Sequence, residues 1–422
     1  MSTIDNLLDP IAIPKMVKVR QTFERPVIQD VIGELAVNLA EKNVLASIKP
    51  GQEIAISCGS RGITNLPAIV KYLVGAVKQA GAKPFLVPAM GSHAGATDDG
   101  QRNMLIGMGF TEEYTGAPIR SSMETVQVGT SANGYPVFFD KYAFEADGTI
   151  VINRIKPHTG FRGPVESGLM KMITIGLGKQ KGADICHELG LGTAAENIPA
   201  MAKVSLVKGN IIFGVGILEN AYHETCRIAV LKTAEIEHQE PALQAESKRL
   251  CPKLYFEKID VLIVDEIGKN ISGTGFDTNI VGRYNSIYAS GGPSVARFAI
   301  LDVTDVSHGN ANGLGMADFT TRRVFDKFSF ENTYPNSLTS TVPITVKIPM
   351  VLKSDRQAIQ ACIKTCNRLD KENVTVVRIK NTLTLDEIEV TENLAASSRD
   401  NTNIAVLGKP FDFAFDHHGN LF

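Results

Sequence analysis

The chain has 422 residues, more than one compact core organises and enough for two α/β domains. Hydrophobic residues make up 44% and charged residues 21%, the balance of an ordinary globular protein in water. A formal net charge of −2 excludes a global field that would gather nucleic acid or an anionic membrane surface.

No apolar run approaches 18 residues, so no transmembrane helix is expected. The opening stretch MSTIDNLLDPIAIPK lacks a basic region followed by an apolar block and does not read as a secretory signal. Six cysteines, at 58, 186, 226, 251, 362 and 366, form no CxxC pair. Cys362 and Cys366 share a face of a predicted helix and read as packed thiols, with disulfide or zinc pairing as the alternative. This usage fits a reducing cytoplasm.

In chain order, EIAIS at 53–57 reads as a buried strand ending at the turn Cys58-Gly-Ser-Arg-Gly62, and a helix follows over roughly 64–81. Gly81 closes that helix, PFLVPAM forms a second strand, and Gly91-Ser-His93 makes its turn before another helix opens near Thr97. Strand, glycine turn and helix in alternation predict a parallel sheet with crossover helices. TVQVG and YPVFF flank Asn133-Gly134 and predict a hairpin. GTIVINRIK at 148–156 is a further strand delivering Pro157-His158; 193–208 reads as helix and NIIFGVGIL as strand.

Polar sequence at 233–258 ends the first unit, and KIDVLIVDEIGKN starts a strand and glycine turn afresh. The expected fold class is therefore α/β, with two mostly parallel-sheet domains and an active-site cleft between them. Their expected limits are 1–255 and 256–395, with the tail 396–422 packing back on the first.

Ligands of open α/β sheets sit outside the carboxyl ends of the strands. Arg61, His93 and His158 each follow a predicted strand on such a turn. Arg61 offers a planar fork for a carboxylate, and the two imidazoles can exchange protons near neutrality. A single loop histidine is commonly only solvated; three such groups at equivalent strand ends favour a site. The densest stretch, 152–190, adds Lys171, the segment Gly176-Leu-Gly178-Lys179-Gln-Lys-Gly182, and His187. It is neither a P-loop nor GxGxxG. Its glycines and lysines either hold a phosphate or form a solvated turn. In the second domain, Lys269 follows a strand and either reaches a substrate carboxylate or hydroxyl across the cleft or stays solvated. Ser307-His308-Gly-Asn-Ala-Asn-Gly313 reads as a surface turn, and His417-His418 as a solvated pair.

This set of motifs resembles the nickel-pincer-dependent lactate racemase family. Met90-Gly-Ser-His93-Ala-Gly-Ala-Thr97 resembles that family's Gly-Thr-His loop, and Ile155-Lys-Pro-His158 with Gly160-Phe161-Arg-Gly163 resembles its second histidine's strand end. The resemblance implies that His93 and His158 are acid and base and that Arg61 meets the substrate carboxylate. It implies that Lys171 anchors a pyridinium-3-thioamide-5-thiocarboxylic acid mononucleotide, with Gly176, Gly178 and Lys179 near it, and that His187 binds its nickel (Ni). Partners would be a 2-hydroxy acid and, transiently, the proteins that make the cofactor; neither nucleic acid nor membrane is expected. The motifs cover roughly 50–220. The segment between His158 and Lys171 is longer than usual, Glu166-Ser-Gly-Leu-Met replaces a glycine-rich run, and Cys58 stands where an acid is expected. These departures point to a hydroxy acid other than lactate.

The expected activity is thus racemisation or epimerisation at C2. Hydride removal, together with loss of the hydroxyl proton to a histidine, avoids the dianion that proton removal from C2 would create. Two other readings stand beside it. In one, His93, His158 and His187 bind the zinc of a hydrolase. In the other, a non-catalytic α/β protein closes on a carboxylate.

Overall fold

The computed structural model describes residues 2–60 and 62–422. Its strands are β1 (Met16–Gln21), β2 (Glu53–Cys58), β3 (Lys83–Pro88), β4 (Thr125–Thr130), β5 (Pro136–Asp140), β6 (Gly148–Arg154), β7 (Ile211–Glu219) and β8 (Thr225–Lys232). They continue as β9 (Lys258–Ile267), β10 (Ser294–Val303), β11 (Phe319–Thr321), β12 (Met350–Leu352), β13 (Val376–Ile379), β14 (Glu387–Thr391) and β15 (Ile404–Val406). The chain divides into two compact units, one of residues 24–251 and one of residues 1–23 with 252–422.

The unit 24–251 holds a five-stranded sheet in the order β3-β2-β6-β7-β8. β3, β2, β6 and β7 run parallel, and β8 pairs antiparallel with β7. Its strands are continuous apolar runs because both faces are covered. Alternate residues enter different cores. Ile54, Ile56, Leu86, Ile150 and Ile152 pack with the helices Val31–Lys42 and Leu66–Gln79. Ala55, Phe85, Val87 and Val151 pack with the helices Ala194–Lys208 and Thr233–Leu250. The expected hairpin around Asn133-Gly134 is the separate β4–β5 ribbon.

The helix Thr233–Leu250 occupies the polar stretch read as the end of a unit. Its buried side includes Ile236, Glu240, Leu243, Gln244, Ser247 and Leu250. The spacing is helical, but half of these residues are polar, which hides the stripe from a hydrophobicity reading.

The second unit contains an eight-stranded sheet, β12-β11-β10-β9-β13-β14-β1-β15. β9 to β13 run parallel, whereas β14, β1 and β15 join antiparallel. The division falls between Cys251 and Pro252 rather than near 255. The first 23 residues and the tail belong to this unit and not to 24–251, because β1 lies between β14 and β15 and Met16 pairs with Phe411. All six cysteines are free thiols, and Cys362 and Cys366 are buried.

Candidate active site

β3, β2 and β6 are parallel neighbours, Cys58 standing opposite Pro88, so the loops after them emerge on one edge of the sheet. These loops carry His93 and His158. Arg61, on the third, lies outside the described residues.

A helical run follows the His158 loop and bears Lys171 near its start and His187 near its end. It comprises Leu169–Lys171, a π-helical turn Met172–Gly176 and the helix Lys179–Glu188. As one straight helix it would hold Lys171 and His187 about 24 Å apart. The π turn and a left-handed residue, Lys179 (φ 55°), break it. The charges of Lys171 and His187 both bear on the imidazole of His158, and that of Lys171 bears also on the thiol of Cys186.

His158 is held as an uncharged imidazole. Burial lowers its proton affinity well below the usual histidine value, and the nearby charges of Lys171, Lys156, His187 and Arg162 lower it further. Its Nδ1 accepts from the Gly160 N–H at 3.0 Å, and its ring lies 4.4 Å from that of Phe161.

Glu166 organises this loop. Its fully buried carboxylate accepts from the N–H of His158 (2.8 Å) and of Gly163 (3.1 Å). It also pairs with Lys248 at 2.5 Å and Arg162 at 3.6 Å. Glu240, likewise buried, accepts from the N–H of Met170 at 2.9 Å and so caps the start of the run that carries Lys171. In the sequence Glu166 stands out only as a departure from the family's glycine-rich run, and Glu240 lies in no motif.

His93 is exposed, with its Nδ1 2.5 Å from the Ser60 hydroxyl. Gln101 Nε2 donates to the carbonyls of Gly91 (2.9 Å) and His93 (3.3 Å). The Gly91 N–H donates to Gly176 O at 3.2 Å, joining the His93 loop to the helical run.

Residues 15–197 match the family model of the lactate racemase N-terminal domain. That segment is therefore similar to the lactate racemase family's N-terminal domain. A solved structure of the lactate racemase apoprotein from Thermoanaerobacterium thermosaccharolyticum is similar at 14% identity and a TM-score of 0.49, over 92% of this chain and 96% of that one. No curated protein matches the chain significantly.

The matched segment contains His93, His158, Lys171 and His187; Lys269 falls outside it. Within it, the segment expected to cradle a phosphate is differently employed. A Cβ on Gly176 would stand 2.5 Å from Met172 Sδ and 2.9 Å from Ala89 O, and one on Gly178 would stand 2.2 Å from Thr174 O. Close packing of backbone therefore requires these glycines. Lys179 is fully buried and ion-paired with Asp140 at 3.0 Å, which corrects the expectation that it faces a cofactor. An ammonium there can be kept only beside an opposite charge and acceptors. Lys269 Nζ donates to Gly273 O at 2.7 Å, and its backbone N–H donates to Ser307 Oγ at 2.9 Å. His417 and His418 are exposed, with ring centroids 3.8 Å apart and the rings tilted by 44°. Among the described residues no three His, Cys, Asp or Glu side chains gather to hold a metal ion, which removes support from a three-histidine zinc site. No helix of the described residues is long and apolar enough to cross a membrane.

Proposed function

We propose that this lactate racemase relative is an isomerase that inverts C2 of a 2-hydroxy acid, using a nickel-pincer nucleotide tethered to Lys171. The observation that carries this reading is the pair of histidines on loops at one sheet edge, His93 after β3 and His158 after β6, followed by the helical run that bears Lys171 and His187, whose charges bear on His158. The donor set fits the group: one lysine to form the covalent link, one imidazole as the protein's ligand to nickel, and further cations for a phosphate. When bound, such a group supplies a site that takes up and returns the C2 hydrogen with its electron pair.

The chain's own residues do the rest. Lys171 would anchor the nucleotide and His187 would hold its metal, while Lys156 and Arg162 supply positive charge beside His158. His158, kept uncharged by its surroundings, can accept the hydroxyl proton of one enantiomer; His93, on the neighbouring loop, would serve the other. Two histidines are required because the hydroxyl points to different sides in the two enantiomers. Arg61 would orient the carboxylate through a bidentate pair. Lys269 would assist in binding substrate. Substrate deuterated at C2 and racemised in ordinary water tests the reading: the product should keep most of its label, because the histidines handle only the exchangeable hydroxyl proton. Label lost at the rate of racemisation would mean that a histidine removes a carbon-bound proton, and the proposal would fall.

A further inference from the structure

We propose that Lys179, acting through Gln101, is a positioning residue for His93. The inference rests on the role assigned to His93 above. Lys179 has a left-handed backbone, a conformation that glycine adopts freely and a lysine does not. Its side chain is also fully buried. A strained, buried lysine must be explained by what its ammonium holds.

The ammonium meets three oxygens on three elements. It donates to Pro88 O, at the end of β3, at 2.5 Å, and to Gln101 Oε1, on the helix Asp98–Gly107, at 3.2 Å. It pairs with Asp140 Oδ2, at the end of β5, at 3.0 Å. Two of these contacts are hydrogen bonds and the third is an ion pair, so the buried charge is compensated on three sides. Gln101 is fully buried as well. A carboxamide can be inserted either way round, but only its oxygen can face an ammonium. Lys179 therefore fixes the amide so that Nε2 points at the carbonyls of Gly91 and His93, where two acceptors await its two hydrogens. Without the lysine, Gln101 Oε1 loses its buried donor, and only the carbonyls of Gly91 and His93 hold the amide in place.

The same residue stands at the break in the helical run between Lys171 and His187. One buried side chain thus ties the His93 loop to the segment bearing the other two groups. A loosened loop would leave His93 present but displaced, and displacement of about 1 Å at a reacting group can cost 100-fold in rate.

Two variants of the full-length protein, produced together with the cofactor-making enzymes, test the proposal. Gln101→Met keeps the shape of the side chain and removes its hydrogen bonds. Lys179→Met combined with Asp140→Asn removes the ammonium without leaving a lone buried charge. The mass of the Lys171 peptide reports cofactor loading, and thermal melting reports folding. In both variants kcat should fall about 10- to 100-fold while KM changes less than about threefold. In a His93→Ala background neither variant should lower kcat further. An equal loss with and without His93 would show a general structural effect and overturn the proposal. Ring NMR signals of His93, assigned from the His93→Ala spectrum, give a readout independent of turnover. They should move in both variants while those of His158 stay in place, and unmoved His93 signals would overturn the proposal. Full turnover by His93→Ala would instead remove His93 from proton transfer, and moved ring signals would still support the clamp.

Discussion

At the scale of single residues, the unit 24–251 places acids where their burial is costly and gives each a backbone task. Glu240 is the clearest case. Burial pushes its carboxyl up to about 7, against the opposing hydrogen bonds from the Met170 and Leu169 N–H groups. The sign follows from proton binding. Between pH 4.5 and 7 the folded chain keeps a proton that the unfolded chain releases, so the contribution of Glu240 to stability falls as pH rises through that window. The shift corresponds to roughly 3 kcal/mol at most. Glu240→Gln retains an oxygen for the Met170 N–H and has no proton to lose. Urea unfolding at pH 5 and pH 8 should therefore show wild type losing stability relative to Glu240→Gln as pH rises. Parallel curves for the two proteins would contradict the burial argument.

At the scale of elements, the helical run 169–188 is shaped by contacts that a straight helix could not make. Its glycines allow backbone to approach backbone. At Gly178 a methyl group would stand 2.2 Å from a carbonyl oxygen that belongs to the preceding turn and cannot swing away as a flexible side chain would. Gly178→Ala should therefore destabilise the protein by about 1–3 kcal/mol, in the range of overpacked sites. The loss should be the same with and without the cofactor, as read from melting temperatures of the two forms. A glycine needed only to admit a phosphate would show its cost only in the loaded protein. The neighbouring loop 155–168 is fastened from outside itself, by Glu166 to Lys248 and by the Glu166 N–H to Gln244, both on the helix Thr233–Leu250. That helix is therefore part of the candidate site's support although no motif lies on it.

At the scale of the whole molecule, the first residues of the chain complete a sheet built mostly from its end. β1 is an interior strand, bonded to β14 over Met16–Arg20 and to β15 over Val19–Gln21. Removing residues 1–23 would leave β14 and β15 with unpaired edges and no bridge between them. Hydrogen exchange on the shortened chain should show lost protection in β14 and β15 while β2, β6 and β7 keep theirs. Loss of protection in the sheet of 24–251 instead would contradict the division of the chain.

What the sequence by itself determined is local or repeated in pattern. Apolar runs ending in glycine turns specified β2, β3 and β6, and strand and crossover order made their carboxyl ends neighbours, which put His93 and His158 on loops of one edge. Lys171 and His187 stand out in the sequence because their motifs are contiguous. The tertiary structure alone decided what depends on partners remote in the chain. The ammonium of Lys179 looks from its flanking glycines like a phosphate ligand, and only the arrival of Asp140, Pro88 and Gln101 turns it inward. Glu166 and Glu240 gain their tasks from backbone groups and helices that adjacent sequence does not announce. β1 joins the second unit because strand pairing is a contact between segments more than 360 residues apart, and neither side-chain periodicity nor composition records which distant edge a strand will meet.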